Sequence, residues 1–154
     1  AFDLYRKNGG TWNLRILGGG ELQDKCIGEG VIFEGFTQPH EVASKMNNSK
    51  VFLLISRADH WGTVACEAAA CGMHLITTKT VGATIDIVRN NINGVVLNDI
   101  KIDCLVDSFN YYEQLDEKIL LNGSKVSKGI AKGYDSNSYY AAVMKMIYDF
   151  EVKI

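Results

Sequence analysis

The chain has 154 residues, 47% of them apolar and 22% charged, a composition that fits one globular domain and excludes a disordered or fibrous protein. Sixteen Lys and Arg against eighteen Asp and Glu leave a net charge of −2, which offers no general attraction for nucleic acid or an anionic membrane. No apolar run approaches the ~18 residues of a membrane span, and the first residues carry no signal-peptide pattern.

Short apolar runs alternate with helical patterns, the sequence form of βα units around a parallel sheet. Residues 1–7 are helical in character. Residues 12–17 form the first strand, which stops at Gly18-Gly19-Gly20, and a second strand over 31–33 ends at Gly35. Pro39 marks a helix start, with Val42, Ala43 and Met46 as its apolar stripe. The nearly continuous apolar run 51–55 predicts a central strand covered on both faces. A polar turn over 56–62 leads into a compact helix over 63–71, ended by Gly72 where a left-handed cap costs least.

A strand over 75–77, a helix over 83–89 and a last strand over 94–97 follow, and from residue 100 the pattern is helical through 103–115, 116–130 and 139–150. Tyr111, Tyr112, Tyr139 and Tyr140 fall on amphipathic helices and read as packing groups. Lys125, Lys128 and Lys132 share one helical face and read as a solvated stripe. The prediction is one α/β domain over 1–154 whose helical end is 100–154. A doubly wound unit normally begins with a strand, so the opening helix predicts a strand, and with it a preceding domain, ahead of residue 1.

Cys26, Cys66, Cys71 and Cys104 form no CxxC pair, and three histidines do not complete a zinc pattern. Cys66 and Cys71 sit on an Ala-rich segment and read as small buried apolar residues. The expectation is a reduced, cytoplasmic protein without a bound metal.

The most informative stretch is Ser56-Arg57-Ala58-Asp59-His60-Trp61-Gly62-Thr63-Val64-Ala65-Cys66-Glu67-Ala68. It follows a buried strand and opens a helix, so it lies at the carboxyl edge of the sheet, where open α/β folds bind ligands. Free N–H groups near Gly62, Thr63 and Val64, together with the helix dipole, make an anion site suited to a phosphate or diphosphate. Glu67 is the only charge between Thr63 and Cys71. Its carboxylate either faces water or meets hydrogen-bond donors, for which two adjacent sugar hydroxyls would serve.

Asp59 and Glu67, with Trp61-Gly62 between them, resemble the acidic pair of the retaining glycosyltransferases of family 4 (glycosyl transferases group 1). Other stretches resemble that family in the same order: Leu17-Gly-Gly-Gly-Glu21, Val31-Ile-Phe-Glu-Gly-Phe36, the helix end and strand from Met46 to Ser56, Glu67-Ala-Ala-Ala-Cys-Gly72, and Val81-Gly82 through Gly94. The likeness covers about residues 10–100. It implies a GT-B fold of two Rossmann-like domains, of which this chain is the C-terminal, donor-binding half.

Residue by residue, the resemblance implies that Glu67 binds the ribose hydroxyls of a nucleotide-diphosphate sugar and that Asp59 faces the transferred sugar. It implies that the amides of Trp61, Gly62, Thr63 and Val64 contact sugar and diphosphate, and that Phe33, Gly35 and Phe36 border the base. Gly18 and Gly19 read equally as a structural turn or as a turn beneath the ligand. The family's diphosphate-binding Arg and Lys follow a strand that would precede Ala1, and Arg15, inside a strand, does not replace them.

Several positions depart from the family pattern. Asp59 stands for Glu, His74 for Pro, and Ala83 and Ile85 for Gly and Pro. The resemblance further implies a retaining, metal-independent transfer with no cofactor beyond the sugar donor. The acceptor, a saccharide or lipid-linked sugar, would be held by the N-terminal half. The isolated chain is then inactive, and peripheral membrane association of the full enzyme stays open. Abundant Asn, Lys and Ile suggest a bacterial source and polysaccharide assembly. Two other readings share the sheet and helix-start logic: a non-catalytic nucleotide- or phosphate-binding module, and a nucleotide-sugar epimerase of similar fold.

Overall fold

A computed structural model of the protein describes residues 1–151. In chain order its elements are α1 (Phe2–Lys7), β1 (Leu14–Leu17), β2 (Val31–Gly35), α2 (Pro39–Asn47), β3 (Val51–Leu54), α3 (Thr63–Ala70), β4 (His74–Thr78), α4 (Thr84–Ile87), β5 (Gly94–Leu97), α5 (Ile102–Gln114), α6 (Glu117–Ala131) and α7 (Ser136–Glu151). Every strand pair is parallel, as the alternating pattern predicts. The strands form two sheets rather than one continuous sheet: β1 with β2, and β3-β4-β5 in that order.

β4 is buried along its whole length and separates two cores. Leu75 faces one side with Ala65, Ala68, Ala69 and Ile87, while Ile76 faces the other with Tyr112 and Leu97. This is the two-residue alternation of a strand covered by helices on both faces. Full burial of each such aliphatic side chain contributes about 1.5–3 kcal/mol.

Helix ends follow the local chemistry. Pro39 opens α2, and the Glu41 carboxylate accepts the Gln38 amide at 3.3 Å. Asp116 caps α6 by accepting the Lys118 amide at 2.7 Å. Gly72, at φ +82°, ends the α3 segment in the left-handed conformation expected of it.

Five expectations need correction. The run 51–55, expected as a central strand covered on both faces, forms β3 at the edge of its sheet, half-buried along its length. Trp12 and Asn13 lie outside β1, because the Trp12 amide donates to the Tyr5 hydroxyl (3.0 Å) and its carbonyl accepts from Arg6, which ties this segment to α1. The helix expected over 83–89 is the single turn α4. It stops where Asn93 accepts the Arg89 amide at 2.6 Å and donates to the Ile87 carbonyl at 3.0 Å, steering the chain into β5. Tyr139 and Tyr140 are exposed rather than packed, whereas Tyr112 is buried. Cys66 and Cys71 are only half-buried.

Candidate functional site

The loop between β3 and α3 is held from behind by the segment that follows β4. Ser56 accepts at its carbonyl from the Thr78 hydroxyl at 2.6 Å and donates its amide to the same oxygen at 3.2 Å. The Thr80 hydroxyl donates to that carbonyl as well. Further along, the Asp59 amide donates to the Thr80 carbonyl (3.2 Å), Gly82 donates to the Asp59 carbonyl (3.0 Å), and Ala83 donates to the Trp61 carbonyl (2.7 Å). A Cβ on Gly82 would lie 2.1 Å from the His60 carbonyl oxygen, so only glycine admits this approach. Sequence reasoning gave the stretch from Thr78 to Ala83 no role in the site. Its signal is the run of threonines leaving a buried strand, whose hydroxyls fasten the loop.

Fastened in this way, the loop presents the start of α3. Gly62 is the N-cap at φ +83°, a conformation that favours glycine, and a Cβ there would meet Val81 Cγ1 at 2.7 Å. Because glycine has no side chain, nothing caps the helix. The Ala65 amide turns back to the Gly62 carbonyl at 2.8 Å, while the amides of Gly62, Thr63 and Val64 find no acceptor among the described residues. Unpaired amide donors at a helix N-terminus, together with the helix dipole, suit a bound anion.

Glu67 follows Thr63 by four residues, so the two lie one above the other on the same helix face, and both are exposed. The opposite face, Ala65, Ala68 and Ala69, is buried against β4 and α6. Glu67 makes no ion pair or hydrogen bond through its side chain among the described residues. A carboxylate one turn inside the helix mouth is therefore free to accept from hydroxyl groups. Asp59 is half-buried beside Gly62, and its Oδ1 accepts the Trp61 amide at 3.1 Å, which leaves the second oxygen toward the helix mouth. Trp61 is 41% exposed. Its ring leans on Tyr134 (centroids 6.0 Å apart), and burial pushes the neighbouring Cys66 thiol up, partly offset by the Trp61 hydrogen bond.

A second group gathers at the ends of β1 and β2. The Gly18 amide donates to the Gly35 carbonyl at 2.7 Å, joining the Gly-rich turn to the end of β2. Gly18, Gly19 and Phe33 line a cavity of about 190 Å³, and Phe36 beyond it is 79% exposed. The candidate residues thus fall into two clusters at the carboxyl ends of two sheets, and no hydrogen bond or ion pair among the described residues joins them. Arg15 belongs to neither. It pairs with Glu34, which also takes Lys45, as its place inside a strand predicts.

Residues 1–120 match the family described as glycosyl transferases group 1. Lipopolysaccharide 1,6-galactosyltransferase of Escherichia coli (strain K12) is 26% identical over 148 residues, 90% of this chain and 40% of that protein. Among solved structures, sucrose-phosphate synthase from Thermosynechococcus elongatus superposes with a TM-score of 0.77 at 17% identity, covering 99% of this chain and 41% of its own. Anabaena HepE in complex with UDP gives 0.75 at 18%, covering 90% of this chain and 41% of its own. The lipopolysaccharide outer core galactosyltransferase WaaB gives 0.71 at 21%, covering 96% and 44%. The structural likenesses establish the fold, a Rossmann-like half of a GT-B architecture. The chain spans about 40% of the curated relative it matches.

Proposed function

This chain belongs to the glycosyl transferases group 1 family, and we propose that it is the donor-binding part of a retaining, metal-independent glycosyltransferase that uses a nucleotide-diphosphate sugar. The observation that carries the reading is the uncapped mouth of α3, with three free amides, set one turn from the unpaired carboxylate of Glu67. In this reading the amides of Gly62, Thr63 and Val64 receive the diphosphate, and the main chain at Trp61 lies against the sugar. Glu67 accepts from the ribose hydroxyls, and the base lies toward Phe33, Gly35 and Phe36 with the Gly18-Gly19 turn beneath it. Solved relatives of the same fold have been captured with UDP and with UDP-glucose, which supports a nucleotide-sugar donor and makes UDP the first probe.

During transfer the bond from the anomeric carbon to the diphosphate breaks, and the diphosphate departs carrying the electron pair. Positive charge grows on the sugar until the acceptor oxygen bonds to it and passes its proton to the departing diphosphate. Preorganised amides stabilise the departing anion, and Asp59 is placed to favour the cationic centre. The acceptor, a saccharide or lipid-linked sugar, is held by polypeptide outside these 154 residues, so this chain alone binds nucleotide weakly and transfers nothing. Calorimetric titration with UDP, GDP and ADP tests the site. One nucleotide should bind, and Glu67→Gln should weaken it at least about tenfold without changing the melting temperature. Equal binding by that variant overturns the assignment. In the complete enzyme, transfer unaffected by EDTA supports metal independence. Nucleotide binding without any transfer would favour a non-catalytic module.

A further inference from the structure

Because the N-cap of α3 is Gly62, no side chain caps the helix, and the angle at which the chain enters it must be set by other contacts. A helix takes that angle from a contact between the residue before its N-cap and the residue at its fourth position. In α3 those two residues are Trp61 and Cys66. The indole N–H of Trp61 hydrogen-bonds the half-buried Cys66 thiol, which closes such a contact across the first turn. The main chain of Trp61 is fixed separately, its amide on the Asp59 carboxylate and its carbonyl on the Ala83 amide.

The indole in turn rests on a second ring. Among the described residues Tyr134 is its one ring neighbour, with centroids 6.0 Å apart and planes tilted by 48°. Tyr134 is 43% exposed, so the pair stands at the surface and not inside a core. It ends the short 3₁₀ turn Lys132–Tyr134 that follows α6. That turn is pinned from beyond by Ser138 of α7, whose hydroxyl donates to the Lys132 carbonyl at 2.8 Å and whose amide donates to Asp135 at 2.7 Å. Just before the turn, Ala131 is buried in one cluster with Ala65, Ala68 and Ala69 of α3. Tyr134 is therefore held by α6 and α7, and it touches the side chain that sets the entry to α3.

We propose that Tyr134 is a positioning residue for the α3 mouth: by backing the Trp61–Cys66 contact, it holds the amides of Gly62, Thr63 and Val64 in the direction a bound anion needs. Its link to nucleotide rests on the donor-site reading, whereas its link to the entry angle of α3 does not.

Trp61 is one of two tryptophans, so a Trp12→Phe background makes its emission a direct reporter. In that background Tyr134→Ala should move the emission to longer wavelength. The Ala65 amide, which donates to Gly62 at 2.8 Å, should then exchange about tenfold faster. Tyr134→Phe should leave both unchanged, because the ring and not the hydroxyl backs the indole. Calorimetric affinity for the nucleotide that binds should fall about fivefold in Tyr134→Ala and recover in Tyr134→Phe, with the melting temperatures close together. If Tyr134→Ala does not fold, Tyr134→Leu takes its place with the same expectation. An Ala65 amide that exchanges at the parent rate overturns the proposal, and so does Tyr134→Phe loosening the turn as much as Tyr134→Ala. Faster exchange with unchanged nucleotide affinity overturns the positioning role. A parent chain that binds none of UDP, GDP and ADP contradicts the donor-site reading alone, since emission and exchange still decide whether Tyr134 sets the α3 entry.

Discussion

The amide of Ala83 donates to the carbonyl of Trp61 at 2.7 Å, and the amide of Gly82 donates to the carbonyl of Asp59 at 3.0 Å. These two bonds fall on Trp61, next to the N-cap Gly62, and on Asp59 just before it, and they set the direction in which α3 opens. The loop carrying Asp59 and Trp61 does not hold itself in place. It is held by the residues after β4, and the position of the free amides at Gly62, Thr63 and Val64 depends on that support.

Adding a single methyl group at Gly82 breaks the support. Its Cβ would stand 2.1 Å from a backbone oxygen that cannot move without displacing the loop. Gly82→Ala should cost about 2–3 kcal/mol in urea denaturation and weaken nucleotide binding. Gly20→Ala meets nothing within 4 Å and should fall between neutral and about 1 kcal/mol stabilising.

Ser127 ties α6 to the sheet from inside the core. Its hydroxyl donates to the Met73 carbonyl at 2.8 Å and accepts from the Asn93 amide group at 3.0 Å. Ser127→Ala leaves both buried partners short of a bond and should destabilise the chain by about 1–3 kcal/mol, again read by denaturation.

His74 gives the fold a pH dependence. It is 2% exposed, Nε2 meets the Leu120 carbonyl at 2.9 Å, and Nδ1 has no partner. Burial lowers its pKa below the ordinary 6.5. The unfolded chain therefore takes up a proton more readily than the folded one, so stability is full above about pH 6.5 and declines as the pH falls from there through the lower native value. Melting temperatures from pH 7.5 to 5 should show the decline, and His74→Gln should flatten that part of the curve.

Asp59 separates loop geometry from charge. Asn at this position still accepts the Trp61 amide, so Asp59→Asn should keep the melting temperature and nucleotide affinity of this chain. In the complete enzyme the same change should lower kcat by about 10²–10³ with little effect on KM, because the lost charge acts only as the sugar becomes cationic.

Much of this was legible in the sequence, and the reasons differ by element. β4 is read from an apolar run that two-sided burial explains, and α3 from its glycine boundaries, Gly62 and Gly72, whereas β3, whose apolar run predicts a central strand, lies at the edge of its sheet and is half-buried. The short α4 was not legible, because its end is set by Asn93, which acts on Arg89 and Ile87 through its side chain. Nor was the fastening of Ser56, Asp59 and Trp61 by Thr78, Thr80, Gly82 and Ala83, since those bonds join residues about twenty positions apart and leave no periodic trace. The division into two sheets escaped for a similar reason: each strand reads the same whether its neighbour is present or not.

In the proposed function the open end of α3 receives the diphosphate while Glu67 holds the ribose. Two-dimensional amide spectra of the ¹⁵N-labelled chain, recorded during titration with UDP, test it directly. The largest shifts should fall on Gly62, Thr63 and Val64, extend to Glu67, and saturate at millimolar nucleotide. Shifts confined to other parts of the chain, with these four amides unmoved at saturation, would contradict it.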